Sequence, residues 1–213
     1  MHKLFIAIPC YNQKIQLECM FSIIKLHEAM RCINVDVQMS GLTGESLLFI
    51  ARNILVREFL NSDCTHMLFI DDDIEFHADD IVKMLKVNKC VIGGAYSTKN
   101  QDDPRIVSSG IEKNEQHNEM PLVNYLGAGL LMVQRHVFEN IYVASKIKVI
   151  THNGTQLALF FNHLSNDGNY MSEDYYFCQV WKECGGCVYL ARWTRTRHFG
   201  VVGFPISNLL TES

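Results

Sequence analysis

The sequence predicts an α/β fold, with a single domain built on a mostly parallel central sheet that has helices on both faces. The first 99 residues alternate short apolar segments with amphipathic segments of helical length, a pattern typical of parallel strands joined by right-handed crossovers. The apolar segments end in loops of polar or small residues. At 213 residues, 48% of them hydrophobic, the chain can bury a sizeable core. A small antiparallel extension is expected at the C-terminal end.

The first strand–helix unit begins with an apolar strand at residues 4–8. Its loop consists of Pro9, Cys10, Tyr11 and Asn12. The spacing i, i+3, i+4, i+7 then predicts an amphipathic helix. The apolar face of that helix would be Leu17, Met20, Phe21 and Ile24.

The second unit comprises a strand at residues 35–39, a loop at residues 40–44 and a helix at residues 46–60. Within this helix Arg52 and Asn53 lie among apolar residues.

The third unit contains the most informative stretch of the chain. Residues 67–70 are apolar and are followed by Asp71, Asp72 and Asp73, which predicts a buried parallel strand that ends in acids. Three adjacent carboxylates repel one another unless a hard divalent cation lies among them. Mg²⁺ and Mn²⁺ take such oxygen ligands and complete their shells with water and substrate phosphates. The alternative is that the acids only solvate a turn, where Asp is common.

A helix from about residue 79 and a fourth strand at residues 90–92 follow. In sheets of this kind, ligands bind beyond the carboxyl ends of the strands. Four loops are expected to meet there, at residues 9–12, 40–44, 71–73 and 93–97. This convergence favours a functional interpretation of the acidic triplet over a solvated turn.

The middle of the chain has weaker patterns. Residues 100–121 are polar with little apolar period, which predicts an insertion or a mobile loop. The small residues 127–129 precede a short strand and helix at residues 130–138. They indicate a close approach to the backbone, by a ligand or by another strand. Residues 146–161 are typical of a hairpin.

A helix is predicted to begin at Ser172, Glu173 and Asp174. Helix capping alone would explain Ser at the N-cap and acids in the first turn. Glu173 lies near the apolar stripe of this helix, however, where a carboxylate costs desolvation energy unless it has a partner or a function. A last strand is expected at residues 187–190, before Arg195, Arg197 and His198.

The overall composition argues against several classes of protein. The formal net charge is −4, without a run of Lys or Arg, which argues against a nucleic-acid-binding surface. No apolar run approaches the roughly 20 residues that span a bilayer, and no signal peptide is recognised. The eight cysteines are scattered, and Cys184 and Cys187 are the one close pair. We expect free thiols and a reducing, cytoplasmic setting.

Five short motifs, in this order, resemble those of the metal-dependent GT-A glycosyltransferases, and most closely the inverting, family-2-type members. They are Pro9-Cys10-Tyr11-Asn12, Ala51-Arg52-Asn53, Asp71-Asp72-Asp73, Ser172-Glu173-Asp174 and His198. The chain is similar to the glycosyltransferase domains encoded by large chlorella viruses, which implies one domain of a longer polypeptide. The resemblance covers nearly the whole chain, and the specificity lies in the order and spacing of the motifs.

The resemblance implies a site for a nucleotide-sugar donor. Pro9, Tyr11 and Asn12 would hold the nucleoside, and Arg52 would contact the base or the diphosphate. UDP is the expected nucleotide. Many relatives have an Asp at the end of the second strand that binds uracil, whereas this chain has Gln38-Met39-Ser40 there. The identity of the base therefore stays open.

The resemblance also implies a metal site, with Mn²⁺ expected and Mg²⁺ as the alternative. Asp71, Asp72 and Asp73 match the DxD motif, in which one acid meets the ribose and a later one ligates the metal. The register stays open between Asp72 and Asp73. His198 matches a C-terminal histidine ligand, and its alternative role is that of a partly buried histidine near basic residues.

For the acceptor, Asp174 matches the general base of the family, with Glu173 as the alternative. The expected reaction transfers a sugar, with inversion, to a hydroxyl group of a glycan or glycoprotein. Within the single domain of residues 1–213, residues 1–99 would form the nucleotide-binding half. Residues 100–213 would form the acceptor-binding half.

Further residues are expected to assist the transfer. Arg195 or Arg197 could contact the leaving diphosphate. Residues 100–121 and 163–170 are candidate lids that exclude water.

Three other functions are alternatives to sugar transfer. A haloacid-dehalogenase-like phosphatase also uses a DxD motif, but on an early strand, whereas Asp71 follows the third. A nucleotidyltransferase usually has a glycine-rich, basic loop after the first strand, which residues 9–14 lack. A catalytically silent module that binds nucleotide sugars or glycans is the third possibility. Hydrolysis of the donor with and without Mn²⁺ would discriminate among them.

Overall fold

The computed structural model describes residues 2–99, 105–111, 118–144, 146–164 and 168–200. In chain order the elements are β1 (Lys3–Cys10), α1 (Leu17–Cys32), β2 (Asp36–Thr43), α2 (Leu48–Asn61), β3 (His66–Ile70), β4 (Ile74–Phe76), α3 (Ala78–Val87), β5 (Val91–Gly94), β6 (Ser108–Ser109), β7 (Tyr125–Leu126), β8 (Leu130–Gln134), α4 (Arg135–Val143), β9 (Val149–His152), β10 (Thr155–Ala158), α5 (Glu173–Glu183), β11 (Tyr189–Ala191) and β12 (Thr196–His198). Within these ranges no helix has the length and apolar character needed to cross a bilayer.

Six strands form the central sheet, in the order β11-β5-β8-β3-β1-β2. β1 pairs in parallel with β2 and β3, and β11 pairs in parallel with β5. β8 lies between β3 and β5 and is antiparallel to both. Five strands therefore run in one direction and β8 runs against them, which confirms the predicted mostly parallel sheet.

Helices cover both faces of this sheet, as predicted. On one face Leu4 and Ile6 of β1 join a core cluster that includes residues of α1 and α3. On the other face Phe5 and Ala7 join a cluster that includes residues of α2, α4 and α5. Alternate strand residues point to opposite faces, so a strand covered on both sides is apolar throughout. β3 is such a strand, since all five of its residues are buried.

The apolar face predicted for α1 is wrong. Leu17, Phe21 and Ile24 are 60%, 51% and 47% exposed, and Met20 is also exposed. The buried residues of α1 are instead Cys19, Ser22, Ile23, Leu26 and Met30. Apolar residues occupy most of the circumference of this helix, so the 3.6-residue period fits two faces equally well. Contact with the sheet selects the second.

Two strand boundaries also differ from the prediction. β2 continues through Thr43, where a loop at residues 40–44 was expected, because it stays in register with β1 up to the pair Cys10–Thr43. The last central strand is β11, and it is followed by β12, which pairs antiparallel with β4. This pair confirms the small antiparallel extension expected at the C-terminal end, although the positions of β4 and β12 were not predicted.

The predicted hairpin is confirmed as β9 and β10. Asn153 and Gly154 form its two-residue turn with φ angles of 48° and 75°, as a tight hairpin requires. Of the predicted insertion at residues 100–121, residues 100–104 and 112–117 lie outside the described residues. Within the rest, β6 pairs with β7.

Candidate functional site

A cavity of 660 Å³ opens at the carboxyl edge of the central sheet, and its volume is typical of a small-molecule site. Seven of the residues predicted from the sequence line it, namely Pro9, Tyr11, Asn12, Asp71, Asp72, Asp73 and His198. The loops after β1, β3 and β5 meet here as expected. β2 is longer than predicted, so its contribution comes from Glu45 and Ser46.

Asp71 is held from behind by Arg52. The Arg52 side chain is only 2% exposed, and its Nη2 donates to Asp71 Oδ1 at 3.0 Å. Its Nε donates to Glu173 Oε1 at 3.4 Å, and its guanidinium lies over the ring of Phe69. Burial opposes the charge of Arg52, but the two carboxylates outweigh it and raise its pKa. Arg52 lies beneath the cavity, in a different place from the expected contact with a base or diphosphate.

Asp73 faces the cavity between a lysine and a histidine. Lys99 Nζ donates to Asp73 Oδ2, and His198 Nε2 lies 3.2 Å from Asp73 Oδ1. Burial works to raise the pKa of Asp73, but the hydrogen bonds from His198 and Lys99 outweigh it and lower the pKa. Both carboxylate oxygens of Asp73 are therefore engaged.

The ring orientation of His198 suits a metal ligand. Its Nδ1 lies 2.7 Å from the carbonyl oxygen of Ser97, and a carbonyl can only accept, so Nδ1 carries the proton. With a second proton on Nε2, the ring donates to Asp73 Oδ1; without that proton, Nε2 has a free lone pair on the cavity side. Burial opposes protonation of His198, but the hydrogen bonds to Asp73 and Ser97 outweigh it and raise its pKa.

Asp72 completes the group at the cavity floor. Burial raises its pKa, a hydrogen bond with Cys10 opposes this, and the charges of Asp73 and Asp71 raise it further. Across the described ranges, no three His, Cys, Asp or Glu side chains are already arranged as a metal cage. Asp72, Asp73 and His198 nevertheless offer oxygen and imidazole donors at an open cavity. This set fits Mn²⁺ or Mg²⁺, which fills its remaining positions with water and phosphate oxygens.

Glu173 and Asp174 begin α5 after the N-cap residue Ser172, as predicted. Glu173 is buried against Arg52. The Asp174 carboxylate accepts hydrogen bonds from the hydroxyl of Ser172 and from the backbone N–H of Tyr175, the latter at 2.8 Å. Burial raises the pKa of Asp174, and the neighbouring charge of Glu173 adds to this. Glu173 is thus tied to a cation, whereas Asp174 is a carboxyl group with raised proton affinity.

Tyr96 lies in the cavity wall near Asp71. Its hydroxyl accepts a hydrogen bond of 3.0 Å from the backbone N–H of Gly129. Burial raises the pKa of Tyr96, and the charges of Asp71 and, more weakly, Asp174 contribute. A Cβ at Gly129 would lie 2.9 Å from both Asp71 Oδ2 and the Tyr96 hydroxyl. The close approach predicted for residues 127–129 is therefore made here by side chains.

Arg195 and Arg197 have partners outside the cavity. Arg195 Nη2 donates to Asp80 Oδ1 at 2.9 Å, and Arg197 Nε lies 3.0 Å from Glu75 Oε2. Sequence reasoning named these arginines and missed Lys99, which lines the cavity. The sequence did offer a signal for Lys99. It lies two positions beyond the loop at residues 93–97, which was predicted to reach the site.

No protein-family model matches the sequence, and no curated protein matches it significantly. Solved structures are similar in fold. The protein A197 from STIV aligns with a TM-score of 0.57 at 18% identity, over 94% of this chain and 87% of that one. A Drosophila β-1,4-galactosyltransferase 7 variant in complex with manganese, UDP-Gal and xylobiose aligns with a TM-score of 0.54 at 12% identity, over 100% of this chain and 80% of that one.

A third similar structure is S. aureus TarS in complex with UDP-GlcNAc. It aligns with a TM-score of 0.52 at 12% identity, and the match covers 96% of this chain and 60% of that one. At these identities the likeness concerns the fold. The chain has a GT-A-like fold, in which small antiparallel sheets accompany a mostly parallel six-stranded sheet.

Proposed function

We propose that this chain is a glycosyltransferase that moves a sugar from a UDP-linked donor to a hydroxyl group of a glycan or glycoprotein, with inversion. The observation that carries the proposal is the cavity in which Asp73, His198 and Lys99 meet at the carboxyl edge of the sheet. Similar structures hold UDP-Gal with manganese or UDP-GlcNAc. The proposal extends this class of ligand to the present cavity.

We assign the donor to the half formed by residues 1–99, together with His198. Pro9, Tyr11 and Asn12 lie on the cavity wall, where a nucleoside would bind. Asp73, His198 and Asp72 would hold Mn²⁺ or Mg²⁺. A bound divalent cation would neutralise charge on the leaving diphosphate. Asp71 is held by Arg52 and would thereby position the neighbouring metal-binding residues, Asp72 and Asp73.

The acceptor belongs to the half formed by residues 100–213, where Asp174 is the general base. In the transfer, the acceptor oxygen forms a bond with the anomeric carbon as the bond from that carbon to the diphosphate oxygen breaks. The acceptor proton passes to the Asp174 carboxylate, whose raised pKa suits this task. Glu173 is paired with Arg52 and serves to position the start of α5. Attack opposite the leaving group inverts the anomeric centre.

Calorimetric titration with UDP, with and without Mn²⁺, tests the donor site. We expect binding that requires the metal and that Asp73→Asn abolishes. Asp63→Asn is a matched control, because Asp63 pairs with Lys3 at the surface, away from the cavity. Undiminished affinity in Asp73→Asn would contradict the metal assignment.

Hydrolysis and transfer assays with UDP-Gal and UDP-GlcNAc test the reaction. Mn²⁺-dependent release of UDP, accelerated by acceptor glycans, supports a transferase. Tight binding of UDP-sugars without any turnover would instead identify a silent binding module.

A further inference from the structure

We propose that Lys99 is a built-in counter-ion of the donor site, which pairs with Asp73 when no metal is bound and moves to the nucleotide diphosphate when a divalent cation takes that carboxylate. The inference rests on the proposed function and assigns a donor-binding role to a residue outside the predicted set. It makes Lys99 a competitor of the metal and a ligand of the substrate.

The first step concerns the two oxygens of Asp73. Lys99 Nζ occupies Oδ2, and His198 Nε2 lies against Oδ1 at 3.2 Å. In its neutral form, His198 keeps its proton on Nδ1 and can offer the Nε2 lone pair to a metal. The ammonium group of Lys99 cannot become a ligand of the metal, and repulsion between it and a divalent cation at Oδ2 favours its displacement. Metal binding at that oxygen therefore competes with the Lys99–Asp73 pair.

The second step concerns charge. A divalent cation at Asp73 would lie close to the displaced ammonium group, and like charges at short range repel strongly in a partly buried site. The ammonium must then pair with another anion. A nucleotide diphosphate bound to the same metal brings several negative oxygens into the cavity, and Lys is a well-suited point-charge ligand for phosphate.

The third step concerns reach. Lys99 lies in the loop after β5, at the rim of the cavity, and its side chain is 41% exposed. Its aliphatic stem runs past Gly200, where a Cβ would lie 3.4 Å from Lys99 Cδ. A flexible four-carbon stem allows the ammonium group to move between nearby anions while the backbone stays in place.

No other basic side chain is placed for this role among the described residues that line the cavity. Arg52 is buried beneath it, and Arg195 and Arg197 are paired with Asp80 and Glu75. The diphosphate contact expected of those arginines from the sequence is therefore reassigned to Lys99.

The test measures two affinities of Lys99→Met, which keeps the length of the side chain and removes its charge. The affinity for Mn²⁺ alone, measured by calorimetry without nucleotide, should rise about tenfold, since a charged competitor is lost. The affinity for UDP at saturating Mn²⁺ should fall by about tenfold or more, since a charge-assisted contact is lost. Lys99→Arg should remain closer to the parent in both measurements.

Lys83→Met is the matched control. Lys83 is exposed to a similar extent and pairs with Glu119 at 3.0 Å, away from the cavity. Lys83→Met changes the net charge of the protein by the same amount as Lys99→Met. Any effect of Lys83→Met on Mn²⁺ affinity therefore measures the contribution of net charge alone. Both of its affinities should stay near those of the parent.

The outcomes separate the two proposals. If the parent binds UDP with Mn²⁺ but Lys99→Met changes both affinities in the same direction, or neither, the counter-ion role is wrong and the donor site stands. If the parent binds no UDP at any Mn²⁺ concentration, the proposed function fails. A rise in Mn²⁺ affinity confined to Lys99→Met would in that case still support the competition at Asp73.

Discussion

At the residue scale, the buried guanidinium of Arg52 neutralises the carboxylates of Asp71 and Glu173. Arg52→Met would leave both acids in a poorly solvated site without their cation, and we expect a loss of about 3–5 kcal/mol in the free energy of unfolding. Arg197→Met removes an ion pair whose arginine is 60% exposed, and should cost less than about 1 kcal/mol. Urea denaturation measures both, and equal losses would contradict this role of Arg52.

Asp174 should show the conflict between stability and function that is typical of a catalytic group. Its folded-state pKa is raised, so its ionisation destabilises the fold at neutral pH; this cost shrinks as the pH falls through that pKa and is gone below the ordinary value of 3.8. Asp174→Asn should therefore raise the melting temperature at pH 7 while lowering the transfer rate about 10²–10⁴-fold. An Asn side chain at this position keeps an oxygen that can accept the hydrogen bond from the Tyr175 N–H. A variant with near-parental transfer activity would reduce Asp174 to a helix-start residue.

The pH dependence of donor turnover provides a separate test. A general base works only when deprotonated, so the rate should decline as the pH falls through the raised pKa of Asp174. The decline should be centred above 3.8, the ordinary value for Asp. The residual rate of Asp174→Asn should not show this decline at low pH. If the decline persists unchanged in the variant, it is caused by the titration of another group.

The site residues divide into those with a local signal and those without. Asp71, Asp72 and Asp73 were recognisable because adjacent acids after an apolar strand are costly without a ligand. Lys99 had no such signal, since an isolated lysine in a polar loop is typical of any surface. The position of Arg52 among apolar residues of α2 indicated that it is buried. Its two partners, at the end of β3 and the start of α5, depend on tertiary structure and could not be predicted.

At the scale of elements, α1 offers two adjacent isoleucines in opposite environments. Ile23 is 2% exposed and Ile24 is 47% exposed. Ile23→Ala should therefore cost about 2–5 kcal/mol in the free energy of unfolding, whereas Ile24→Ala should stay within about 0.5 kcal/mol of the parent. Chemical denaturation of the two variants decides between the observed face and the face that the apolar period predicted, which would give the reverse order.

The strands with continuous apolar runs, such as β3, were predicted almost to the residue. β2 was cut short because Ser40 and Gly41 resemble loop residues, and only pairing with β1 keeps them in the strand. The direction of β8 could not be predicted, because a short apolar segment is the same sequence in a parallel or an antiparallel position. Direction is decided by the path of the chain before it.

For the whole molecule, ligand binding should appear as thermal stabilisation. A ligand that binds only the folded state at 100 times its dissociation constant adds about 2.7 kcal/mol. For a chain of this length that corresponds to a rise of roughly 5–11 °C in melting temperature. We expect this with UDP and Mn²⁺ together, and much less with UDP and a chelator. Equal shifts under both conditions would argue for binding without a metal.

The position of β8 has a consequence for how the chain is made. β3 and β5 are complete once residue 94 has been synthesised, yet the strand that joins them ends at Gln134. Until then a nascent chain presents two apolar strands with unpaired edges, which are prone to associate with other chains. Residues 1–99 are therefore unsuited to independent expression, and a ribosome-bound chain needs protection until the middle of the sheet is filled.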